Sequence, residues 1–95
     1  MTTREAYTLK VEAELDLAQA KLINWKAKVK NASADLSIEY NKYALDLEQK
    51  VAALRVKLTE VKDAGEDAWE SLKQGIDSAL TGVKTTISSI ADKIL

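Results

Sequence analysis

The side chains that perform most enzyme chemistry are the ones this sequence lacks. Its 95 residues include no His and no Cys, so a Ser hydroxyl has no imidazole to take its proton, and no thiolate can attack a substrate or hold a metal. A non-enzymatic protein is expected, with no catalytic, cofactor-binding or metal-ligating residues and no small-molecule substrate. Carboxylates do gather at Asp63, Glu66, Asp67 and Glu70, but their spacing matches no calcium-loop pattern. Acidic side chains at the positive end of a helix account for the same charges. Lys21, Lys26, Lys28 and Lys30 form a basic stretch, with Lys26 and Lys30 on one helical face. A phosphate or anionic headgroup could sit there. Glu12, Glu14 and Asp16, one or two turns earlier, favour instead ion pairing between offset or antiparallel helices.

The elements that carry these residues are helices. The chain has no Pro and no Phe and only 3 Gly, and it is rich in Ala, Leu, Lys, Glu and Val, the composition of long helices. The fold class is all-α. With 14 basic and 15 acidic side chains the net charge is -1, and no overall field draws the chain to nucleic acid. The first residues mix charged and apolar side chains without an apolar signal core, and nowhere are there about 18 consecutive apolar residues. A cytoplasmic protein is expected, with peripheral membrane association as the alternative.

Thr2 followed by Glu5 has the form of a capping box, so a helix is predicted from about Thr3. Val11, Leu15, Ala18, Leu22, Trp25, Val29, Ala32 and Leu36 then alternate steps of three and four, which keeps them on one face as a heptad seam. Beyond Leu36 the stepping lengthens. Trp25, Leu36, Leu47, Leu58, Trp69 and Leu80 recur every eleven residues, a spacing of about 3.67 residues per turn that runs nearly straight along a helix. Aromatics on these stripes, Trp25, Tyr40, Tyr43 and Trp69, read as core or subunit contacts.

Two stretches could interrupt the helix. In DAGED, residues 63–67, Gly65 can adopt a positive φ as a stop, and Asp63 with Glu66 repeats the helix-start signature. In NASAD, residues 31–35, Asn31 and Ser33 could end one helix and begin another, giving an up-down-up three-helix bundle. That stretch lacks Gly and Pro, and the apolar seam crosses it without a change of phase. The expected layout is therefore a helix over about 3–62, roughly 90 Å long, a turn at about 63–65, and a helix over about 66–94 folding back as an antiparallel hairpin, all within a single helical domain, 1–95. The three-helix bundle is the alternative. A returning helix of that length covers about half of the long one. The seam of Val11, Leu15, Leu22, Trp25, Val29, Leu36 and Tyr40 is then expected to dock a second chain, with a dimer favoured.

The last helix differs from the rest. Leu72, Ile76, Leu80, Val83, Ile87, Ile90 and Ile94 share one face, while Ser78, Thr81, Thr85, Ser88 and Ser89 occupy positions where earlier segments place Lys and Glu. Helices that sense lipid packing have such weakly charged polar faces, so residues 72–95 could face a bilayer. Packing on residues 36–62 is the simpler use of the same stripe.

The segments REAY, IEYNKYALDLEQKVAALRVKL and AGEDAWESLKQGIDSAL resemble those of a group of small bacterial coiled-coil proteins of uncharacterised function. The resemblance implies a long helix with a returning helix, and no activity. The eleven-residue repeat is also similar to that of apolipoproteins, late-embryogenesis-abundant proteins and phasins. The expected function is thus a self-associating helical interaction or scaffold protein. Reversible binding to a lipid membrane or granule surface through 72–95 is the first alternative, and a stress-protective helical protein the second.

Overall fold

Thr2 stands in extended backbone (φ -77°, ψ 163°) and its hydroxyl accepts the Glu5 amide at 3.1 Å, so the first helix starts where the Thr-x-x-Glu signature places it. The computed structural model describes residues 2–94; Met1 and Leu95, the ends of the expected 1–95 domain and of the 72–95 segment, lie outside them. Within the described residues the chain forms helices α1 (Thr3–Val29), α2 (Ala34–Asp63) and α3 (Glu66–Lys93), and no strand.

The single helix expected over 3–62 is two helices, and the layout is the three-helix alternative. The reversal falls in the NASAD stretch and uses polar caps rather than glycine. The Ala32 amide turns back to the Val29 carbonyl at 2.9 Å, the Ser33 hydroxyl accepts the Leu36 amide at 3.3 Å, and the Ser37 hydroxyl donates to the Val29 carbonyl at 3.3 Å. No described residue has a positive φ, so the turn needs no residue that tolerates left-handed backbone. The apolar phase survives for a separate reason. Val29 and Tyr40 are the last buried residue of α1 and the first of α2, and their eleven-residue separation happens to equal the repeat of a continuous helix.

The second break lies where it was expected, with different chemistry. Gly65 has φ -72° and ψ 170° and is the N-cap of α3 without a side-chain hydrogen bond. It is not a left-handed stop, and Asp63 is the last residue of α2 rather than a cap for Glu66.

The helices run up, down and up in a body of 50 × 20 × 18 Å, matching helices of about 40–45 Å. α2 lies antiparallel to both neighbours. α1 and α3 run parallel, as Tyr7–Asp77 and Glu14–Lys84 are both pairs 70 residues apart. Along the axis the three inner stripes merge into one continuous core, in which Leu15, Ala18, Leu47, Val61, Ile76 and Ile90 are fully enclosed. Burial of each larger aliphatic side chain contributes about 1.5–3 kcal/mol.

Candidate interaction surface

The expected docking seam is interior. Val11, Leu15, Leu22, Trp25, Val29 and Tyr40 are buried and Leu36 is half-buried, all within one chain. Since α2 turns back at residues 30–33, it covers the stripe that a continuous helix would have left open. The residues expected to face lipid are inside as well: Ile76, Leu80, Val83 and Ile90 are buried, and Leu72, Ile87 and Ile94 pack against the core while partly exposed. On the opposite face of α3, Ser78, Thr81, Thr85 and Ser88 are exposed and Ser89 is half-exposed. The Thr81 and Thr85 hydroxyls donate to the carbonyls of Asp77 and Thr81, one turn back, at 3.1 and 2.9 Å.

The REAY segment and the start of α3, far apart in sequence, meet at one end of the bundle. The Arg4 guanidinium donates to the Ala64 carbonyl at 2.7 Å, pairs with Glu66 at 3.4 Å and lies 5.7 Å from the centre of the Trp69 ring. It therefore caps the carbonyl end of α2, where the helix dipole is negative, and stacks on an aromatic face. The Tyr7 hydroxyl donates to Asp77 at 2.7 Å, and Lys73 lies over both the Tyr7 and the Trp69 ring. Desolvation, then the hydrogen bond and negative charge of Asp77, then the charge of Glu14, push the Tyr7 hydroxyl well above the ordinary tyrosine range. Arg4, Leu9, Glu12, Lys62, Glu66 and Trp69 border an open groove of about 770 Å³ there, but Arg4, Glu12, Lys62 and Glu66 are already paired within the chain. Among the described residues no cluster of acidic side chains is arranged to hold a metal ion; the carboxylates of 63–70 lie around the α2–α3 turn.

The acidic residues of α1 do pair with antiparallel neighbours, but inside the chain. Glu12 meets Lys62 at 3.0 Å and Asp16 meets Arg55 at 2.9 Å, both on α2. Glu14 reaches Lys84 on the parallel α3 at 3.7 Å, while its second carboxylate oxygen is buried without a partner. Between α2 and α3, Lys50 bridges Asp46 at 2.9 Å and the Thr86 hydroxyl at 2.8 Å. Tyr40, buried at the α1–α2 contact, donates to the Leu22 carbonyl at 2.6 Å, and burial, with Glu48 second, raises its hydroxyl above the ordinary value. Lys21, Lys26, Lys28 and Lys30 form no ion pair among the described residues.

A second apolar surface was missed by the sequence reading. Among the described residues the exposed large hydrophobic ones are Leu9, Leu17, Ile23, Ile38, Leu45 and Val56, all on α1 and α2. At about 100° per residue, Leu9 and Leu17 fall on the back of α1, opposite the core stripe, and Ile23 lies on the same side toward α2; Ile38, Leu45 and Val56 follow the back of α2. On α1 this surface is completed by exposed Ala6, Ala13, Ala20 and Ala27. Ile23 and Leu45 border one groove of about 400 Å³ between the two helices, together with Lys26, Asn41, Ala44 and Glu48. The signal was present as the seven-residue spacing of the four alanines and of Ile38, Leu45 and Ala52, weaker than the inner seam because acidic and polar residues interrupt it.

Compared with family models, with curated proteins and with solved structures, the chain matches none. No helix among the described residues is long and apolar enough to cross a membrane.

Proposed function

We propose that this is a non-enzymatic helical interaction protein that associates with itself through the outer faces of α1 and α2. The observation that supports this reading is the distribution of exposed apolar side chains. Among the described residues all six large ones lie on these two helices, and Ile23 is 72% and Val56 60% exposed, whereas the outer face of α3 carries none. Scattered single residues would need no explanation, but here they align along the backs of two neighbouring helices, and Ile23 and Leu45 share a groove. Sedimentation velocity tests the reading. The natural chain is expected to show a concentration-dependent dimer, and Ile23→Lys combined with Leu45→Lys to remain monomeric with unchanged helicity. A natural chain that stays monomeric at high micromolar concentration defeats it.

A second reading is reversible binding of a lipid or granule surface by α3. It is supported by the pairing of an inner face that is apolar apart from buried Thr86 with an outer face rich in Ser and Thr. Since Ile76, Val83 and Ile90 are enclosed, α3 would have to leave the bundle and exchange core contacts for lipid. Small, highly curved vesicles would then shift Trp69 emission, and Ile87→Asp would weaken the response. No spectral change with any vesicle removes this reading.

A further inference from the structure

We infer that the partner is a second copy of this chain lying antiparallel, with the back of α1 against the back of the other α1. The inference rests on the proposed self-association and adds its geometry. Charge along α1 is divided by position. Up to residue 16 the acids Glu5, Glu12, Glu14 and Asp16 outnumber the bases Arg4 and Lys10, and from Leu17 to Lys30 the charged residues are Lys21, Lys26, Lys28 and Lys30 alone. The three acids nearest the middle are partnered by α2 or α3, whereas the four lysines are not. Lys26, Lys28 and Lys30 are exposed and Lys21 is half-exposed.

A parallel pair of α1 helices would stack one lysine block on the other. An antiparallel pair carries each block over the acid-richer half of its partner, where Glu5 is exposed, and also opposes the two helix dipoles. Packing gives the same answer. Leu9 and Ile23 sit near opposite ends of the outer face, with exposed alanines between and beyond them. Reversing one copy about the middle of α1 brings Leu9 of each helix against Ile23 of the other and the two Leu17 side chains together near the centre, with exposed alanines flanking each contact. Leu45, which shares a groove with Ile23, then extends the contact from α1 onto α2.

The absence of native cysteine makes the arrangement directly testable by placed thiols. Glu5→Cys and Lys30→Cys proteins are prepared separately, mixed, and joined with a short bis-maleimide. The antiparallel dimer gives chiefly the mixed Glu5→Cys/Lys30→Cys species and little product from either protein alone. In parallel, Lys26→Glu with Lys30→Glu is expected to weaken self-association about ten-fold at low salt, and adding Glu5→Lys to recover part of that loss. A dimer that links only like with like, or whose affinity is unmoved by the charge reversals, leaves self-association standing and overturns the antiparallel arrangement. A chain that neither links nor associates overturns both.

Discussion

Replacing Tyr40 with Phe removes one oxygen from the contact that most directly records the chain reversal. Tyr40 is 2% exposed, and its hydroxyl reaches across from α2 to the Leu22 carbonyl of α1 at 2.6 Å. That carbonyl lies in a helix interior and keeps its own helical donor, so the substitution leaves no orphaned acceptor, and the ring still fills its space. The loss is then the net value of one good hydrogen bond, about 0.5–1.5 kcal/mol. For a domain of this size each 1 kcal/mol lowers the melting temperature by about 4–8 °C. Truncation to Ala would add a cavity and cost about 3–5 kcal/mol. Thermal and urea unfolding followed by circular dichroism, at matched protein concentrations because self-association also stabilises, would measure both. A Tyr40→Phe protein as stable as the natural one would refute the reasoning. The hydroxyl would then be bonded to water, as it would be if residues 3–62 formed one continuous helix and α2 did not lie along α1.

Two further outcomes follow from the same geometry. Ser33→Ala removes the side-chain acceptor for the Leu36 amide and is expected to cost about 1 kcal/mol in urea unfolding, with Ser33→Asp restoring most of it; an unchanged midpoint would mean that the cap does not define the start of α2. Alkaline pH should destabilise the fold, because Tyr7 and Tyr40 have raised values in the folded state while the unfolded chain releases both protons from about pH 10. Above that point the folded state holds more protons than the unfolded one, so stability is complete below about pH 10 and falls as the pH rises beyond it. The fall should be shallower in Tyr40→Phe, and equal slopes in urea titrations of the two proteins would contradict the assigned burial.

The positions that fill the interior were legible because helical periodicity is a local property. Val11, Leu15, Ala18, Leu22, Trp25 and Val29 in α1, and Leu47 and Leu58 in α2, all belong to the stripes read from spacing alone, and all are buried. The start at Thr2 and the polar capping potential of Ser33 were equally visible, since a cap and its amide lie within three residues of each other. The inference that failed was continuity of phase as evidence against a turn. Phase passes through both reversals, from Val29 to Tyr40 and from Val61 to Leu72, each across eleven residues. A short connection can return the next helix with its apolar face still inward, so phase carries no information about direction.

Composition, spacing and capping residues were enough to specify helices, their inward faces and the two places where they could end, since each of these depends on neighbours a turn or less away. Whether Ser33 starts a new helix depends on partners that lie far along the chain. Tyr40 must find the Leu22 carbonyl, Arg55 must find Asp16, and α3 must close over both helices. That folding-back transferred the seam of Val11 to Tyr40 from a candidate surface to the core, and left Leu9, Leu17, Ile23, Ile38, Leu45 and Val56 as the large apolar residues still exposed among those described. An apolar stripe states that a face must be covered; only the packed helices decide whether the cover comes from the same chain.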